Sequence, residues 1–184
     1  LQTQHVQDIF KEKTYDLVGK PRSEREKIIQ EIIALNKFKK RLKTALAYLV
    51  AERKNLLLVN KTNKTEWLTG LFVEHGYGHS GDLMPLGDLY RTQVLQMADY
   101  LEVPRQVSEL VYSDILPELK NKYQYFFNLQ SDEVDQVLIR LKAGWSANKI
   151  ARNRHIRLQS IEKVKHFFEV SKYQRMVPLI PKLD

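Results

Sequence analysis

The 184 residues are 43% apolar and 28% charged, with a formal charge of +8. That is the composition of a globular chain, rather than a disordered one, long enough for one sizeable core. No apolar stretch reaches membrane-spanning length and no signal-peptide pattern opens the chain, so no membrane partner is expected. The absence of cysteine excludes disulfides and thiolate metal sites and fits a cytosolic protein. The basic balance favours anionic partners such as nucleotides, nucleic acid or acidic surfaces, without choosing among them. The first residue is Leu1 rather than methionine, which hints at a fragment or a processed chain.

In chain order, "QHVQDIF" reads as a short strand. Gly19 and Pro21 then mark a break, and Ser23 with Glu26 three residues on has the form of a capping box. The spacing predicts a helix from about Glu24 to Leu35. It predicts a second from Phe38 to Glu52, with Leu42, Ala45, Leu46 and Leu49 on one face. "NLLLV" is a fully apolar run of strand length and reads as a buried parallel strand. A polar loop follows, then a helix from about Thr65 to Glu74, then the glycine-rich "HGYGHSGDLMPLGD", where an irregular path is expected. "LYRTQVLQMADYLEV" reads as an amphipathic helix stopped by Pro104. Further helices are expected over Pro104 to Val111, Ser131 to Gly144, Ser146 to Arg152 and Ile156 to Val170, before a Pro-containing tail. Strand and helix alternate early and helices dominate later, which argues for an α/β fold with a parallel sheet and a helical C-terminal half.

In open α/β sheets ligands bind beyond the carboxyl ends of the strands. The loop after "LLLV" therefore stands where a site would, and Thr62, Asn63 and Lys64 offer a hydroxyl, an amide and a cation beside a helix N-terminus. Glu66, in the first helical turn, is of the kind that meets Mg²⁺ together with substrate phosphates. The same residues also describe an ordinary capped helix. His75, His79 and Asp82 are of types zinc takes, but the glycines between them argue against a helical metal face. "SANKIARNRHIRLQSIEKVKHFF" has the outline of a basic helix-turn-helix, which is equally a common packing unit.

The stretch "NKTNKTEWLTGLFVEHGYGHSGDLMPLGDLYRTQVLQMADYLEVP" resembles the central signature of the ammonia-dependent NAD synthetases, and "SKYQRMVPLIPKL" is similar to their closing His-Lys-Arg-x-x-Pro motif. The likeness runs from about Asn36 to Leu183, and "QHVQDIF" fits an earlier family strand. It implies an adenine-nucleotide alpha-hydrolase-like fold, as one domain over residues 1–184 that lacks its N-terminal part. It also implies a homodimer in which ATP adenylylates the carboxylate of deamido-NAD and ammonia then displaces AMP. Ammonia would arrive free or from a glutaminase domain or subunit. Carried over residue by residue, Glu66 would hold Mg²⁺, and Thr62, Asn63 and Asp82 would line the nucleotide and substrate site. Arg91 and Lys172 would serve the reacting groups. Arg41, Lys43 and Arg175 would contact ATP or substrate, and Ser113 falls where the family has a threonine.

The family's Ser-Gly-Gly-x-Asp-Ser phosphate loop is not in these residues, so this chain alone is expected not to turn over ATP. Tyr77 replaces an aspartate, Asn60-Lys61 replaces Gly-Thr, and "KNKYQYFF" replaces an acidic loop. A neutral phenol does not stand in for a carboxylate. A divergent relative that binds nucleotide or acts as a dimeric scaffold without synthesis is the alternative reading, and nucleic-acid binding by the last helices is a third, with no nucleic-acid partner expected.

Overall fold

The computed structural model describes residues 22–76, 78–108 and 121–175. Eight helices occur among them: α1 Arg22–Arg53, α2 Lys64–Thr69, α3 Arg91–Tyr100, α4 Arg105–Ser108, α5 Lys122–Phe127, α6 Ser131–Lys142, α7 Ala147–Arg154 and α8 Leu158–Gln174. "QHVQDIF" and the tail "MVPLIPKLD" lie outside the described residues, as do Tyr77 and Ser113.

The two helices expected before Arg53 are one helix of 32 residues, with Ser23 inside it rather than ahead of it. Neither Gly nor Pro interrupts the joint at Asn36, so nothing in the backbone stops the helix there. Asn55 ends α1 in the left-handed conformation at φ 54°. The Leu56 N–H then reaches the Ala51 carbonyl at 2.8 Å and the Asn55 N–H reaches Glu52 at 3.2 Å, which is the Schellman closure. Ile28, Ile32 and Ala51 are buried, whereas Leu46 and Leu49 of the expected apolar face are exposed. Periodicity says which residues share a face, not what that face meets.

The apolar run after α1 is extended, as expected, but it is not buried. Its single bridge is parallel, Val59 with Leu83, and Leu57 is 71% exposed. Hydrogen bonds from Asn60 N–H to Leu83 O at 2.7 Å and from Asp82 N–H to Leu58 O at 2.8 Å hold that one side. Among the described residues nothing lies along the other side, so an apolar run that reads as a central strand stands here with one neighbour.

The core lies in the helical half. Leu68 and Leu71 from α2 and its exit, Tyr123 and Phe127 from α5, and Val134, Val137 and Leu138 from α6 meet Ile150 of α7 and Ile161 and Val164 of α8. α8 packs against α2, α5, α6 and α7, so it is the element the others share. Each large apolar side chain fully buried there contributes about 1.5–3 kcal/mol before ordering entropy is subtracted. Helix α5 was not anticipated. Asn121 caps it by accepting the Tyr123 and Gln124 N–H groups, both at 3.1 Å, and Asn128 closes it in the left-handed region. Two asparagines seven residues apart were the available signal.

Candidate functional site

The polar loop at residues 60–66 is held by its own side chains. Asn60 Oδ1 accepts the Thr62 N–H at 2.9 Å, an Asx turn that reverses the chain at the end of the extended run. Asn63 Oδ1 accepts the Glu66 N–H at 3.0 Å, and Glu66 Oε2 accepts the Asn63 N–H at 3.1 Å. This reciprocal capping box starts α2. α2 stops after one and a half turns, not at Glu74 as expected, because Gly70 takes φ 69° and its N–H turns back to the Glu66 and Trp67 carbonyls.

The glycine-rich stretch folds over this loop. The Thr62 hydroxyl donates to the Gly78 carbonyl at 2.7 Å. Gly78 sits at φ 96°, and a Cβ there would lie 3.1 Å from both Thr62 Oγ1 and Phe72 Cβ, so only glycine allows that approach. Lys64 Nζ donates to Asp88 Oδ1 at 2.6 Å and lies 5.1 Å from the centre of the Tyr90 ring. That hydrogen bond holds the Asp88 carboxyl below the usual carboxylate range.

Behind the loop is a buried polar cluster. Asp135, 1% exposed, accepts the Thr65 hydroxyl on one oxygen and, on the other, the Thr92 hydroxyl and the Thr92 N–H, the last at 2.8 Å. The Arg91 N–H in turn donates to Thr65 Oγ1 at 2.8 Å. One carboxylate on α6 thus ties the start of α2 to the start of α3. Burial raises its pKa, opposed by these three hydrogen bonds. The Tyr123 hydroxyl and Arg91 Nε are buried there without a hydrogen bond among the described residues. Burial, then the Glu66 and Asp135 charges, push the Tyr123 phenol well up.

Glu66 Oε1 is paired with Lys122 Nζ, which is 4% exposed while the Glu66 side chain is 19% exposed. Both Glu66 oxygens therefore already accept donors. Among the described residues no group of three His, Cys, Asp or Glu side chains is placed to hold a metal. The residues present do not fit a divalent cation at Glu66.

The structure brings Thr62, Asn63, Glu66 and the backbone of Arg91 together. The Arg91 side chain turns inward and donates from Nη2 to the Ser108 carbonyl at 2.7 Å. Asp82 is exposed and accepts the Leu58 N–H at 2.7 Å, beside the loop's entry. Arg175 donates from Nη1 to the carbonyls of Trp67 and Leu68, both at 3.1 Å, at the far end of α2, and burial lowers its pKa. Lys172 is exposed, with Nζ over the Phe168 ring. Arg41 donates to the Glu74 carbonyl at 2.9 Å, and Lys43 is exposed on α1 two positions on, hence on another side of the helix. The α2 N-terminus offers fewer open donors than expected: Lys64 N–H goes to Leu89 O at 2.8 Å and Glu66 N–H to its cap. Asp135 and Lys122 were missed. Asp135 reads as a surface acid within "SDEVDQ", and only its place three residues before the buried Leu138 puts it on the inner face.

His79 stacks with Trp67 and Phe72, with ring centres 5.6 and 5.4 Å away. The His75 N–H donates to His79 Nδ1 at 3.3 Å, so Nε2 carries the proton toward Gln174 O at 3.2 Å. Burial lowers the His79 pKa, which fits a neutral ring pinning the glycine-rich loop to the end of α8.

An extended run with a parallel partner, a polar loop at its carboxyl end and helices beyond have the outline of part of an α/β domain. The NAD synthase family model matches residues 3–178, and the chain belongs to that family. It is 31% identical over 149 residues to an NH(3)-dependent NAD(+) synthetase of Thermotoga maritima, covering 80% of this chain and 50% of that protein. To the counterpart from Sulfolobus acidocaldarius it is 30% identical, covering 79% and 52%. The chain spans about half the length of the curated relatives it matches. Among solved structures it is similar to an NMN synthetase from Francisella tularensis (TM-score 0.66, 21% identity, 82% of this chain and 57% of that one). It is also similar to the NH3-dependent NAD synthetase from Campylobacter jejuni (TM-score 0.62, 19% identity, 96% and 63%). These likenesses bear out the α/β alpha-hydrolase-like fold.

Proposed function

We propose that the protein to which this chain belongs uses ATP to convert the carboxylate of deamido-NAD to an amide with ammonia, releasing pyrophosphate and AMP. One observation carries the reading. Three segments of the family signature meet at the loop, Thr62 on Gly78, Lys64 on Asp88 and Thr65 on the Arg91 N–H, and Asp135 of α6 holds Thr65 from behind. The carboxylate oxygen attacks the α-phosphorus and pyrophosphate leaves. Ammonia then attacks the acyl adenylate and AMP departs. Residues 60–66 contribute a rigid wall for the nucleotide, and rigidity at a reacting centre is what lets binding energy orient the attack. Lys172 and Lys43 are exposed, and in this reading they supply positive charge toward the phosphates.

A homodimer, a cytoplasmic location and ammonia or a glutaminase as nitrogen source belong to the same reading. Among the described residues no helix is long and apolar enough to cross a membrane. The basic pair α7–α8 packs Ile150, Ile161 and Val164 into the core that α2 shares, and a nucleic-acid partner is not part of this reading. The test follows NAD and AMP from ATP, deamido-NAD and ammonia, using the product of the whole coding sequence. Equal, ammonia-dependent release of NAD and AMP is expected, with the 184-residue chain alone giving none. AMP release without NAD, or no binding of deamido-NAD by the full protein, refutes the synthetase and favours the non-synthesising relative.

A further inference from the structure

We propose that Lys122 is the resident cation of the nucleotide loop, and that Glu66 in this protein is a partner for that lysine and not a ligand for Mg²⁺. The inference rests on the nucleotide-loop reading above and deepens it. Mg²⁺ demands near-octahedral oxygen ligands at short range and gives up its water reluctantly. Each Glu66 oxygen already holds a donor: Oε1 is paired with Lys122 and Oε2 accepts the Asn63 N–H. Rotating Glu66 away would break the capping box that starts α2.

Lys122 cannot readily leave either. It opens α5, whose next residue, Tyr123, is 1% exposed, and whose last, Phe127, is fully buried against α8. The ammonium also lies 5.4 Å from the centre of the Tyr123 ring, whose face favours a cation. Withdrawing it would strand a partly buried carboxylate, and breaking one side of such a pair is costly. Two other cations around the loop are already engaged: Lys64 with Asp88, and Arg91 with the Ser108 carbonyl. The lysine comes from "KNKYQYFF", the same stretch that departs from the acidic loop of the resembled family. The departure in sequence and the occupied carboxylate in the structure thus have one explanation: a fixed positive charge on α5 replaces a bound one.

The test is a Mn²⁺ titration read by electron paramagnetic resonance, without nucleotide, on the full protein, its Glu66→Gln variant, Lys122→Met and the double variant. The unsubstituted protein and Glu66→Gln are expected to bind Mn²⁺ equally. Lys122→Met frees the carboxylate and should tighten Mn²⁺ binding by at least about tenfold, a gain abolished in the double variant. One Mn²⁺ bound by the unsubstituted protein and lost in Glu66→Gln overturns the proposal, as does no gain in Lys122→Met. If Lys122→Met does not fold, amine labelling of the unsubstituted protein decides instead. Lys122 stays unlabelled with and without Mn²⁺ if it holds Glu66, whereas labelling that appears on adding Mn²⁺ refutes it. No nucleotide is present, so a failed amidation assay leaves this result standing, and the converse also holds.

Discussion

Replacing Asp135 with alanine should destabilise the protein by about 3–5 kcal/mol. The carboxylate accepts three donors from two other elements, Thr65 Oγ1, Thr92 Oγ1 and the Thr92 N–H. Alanine leaves the Thr92 N–H buried without an acceptor, at about 1–3 kcal/mol, and removes two hydroxyl bonds worth about 1 kcal/mol each. Asparagine keeps one acceptor oxygen, and the threonine hydroxyls can rotate to accept from its amide. Asp135→Asn should therefore cost only about 1–2 kcal/mol. Urea unfolding followed by the fluorescence of Trp67 and Trp145 measures both. The pH dependence is a second readout. Because burial raises the folded-state pKa, the folded protein binds more protons than the unfolded one in the window above the ordinary carboxylate pKa. Stability from this group is then greatest at acid pH and falls as pH rises through that window. Asp135→Asn removes that fall. An alanine variant within about 0.5 kcal/mol of the original protein would show that Asp135 does not hold α2 to α3.

Two further outcomes follow from the same geometry. Gly70→Ala puts a Cβ at φ 69°, 2.9 Å from Ser171 Cβ and 2.5 Å from Gln174 Oε1, and should cost about 2–3 kcal/mol in urea unfolding; no loss would mean that α2 and α8 are not in contact there. The His79 pKa is lowered in the folded state, so the unfolded chain binds the extra proton. Stability should fall as pH drops below about 6.5, and His79→Gln should flatten that slope in melting curves recorded across the range.

Much of the helical half was legible from sequence because its signals are local. Ser146 caps α7, Ser131 opens α6, and the i, i+3, i+4 spacing of Val134, Val137 and Leu138 marks the buried face. The family pattern also pointed to the loop at Thr62, Asn63 and Glu66, since a capping box is readable over four residues. What each loop side chain does depended on partners remote in the chain. Lys122 meets Glu66 across 56 positions and Asp135 meets Thr65 across 70. Neither pairing leaves a trace in periodicity or spacing. Whether "NLLLV" is covered likewise depends on which neighbours the fold supplies, and here it has Leu83 on one side alone among the described residues. Local sequence sets backbone preference and the face a residue shares. Burial, pairing and the cation at Glu66 arise only when distant segments pack together, and there the tertiary structure decided.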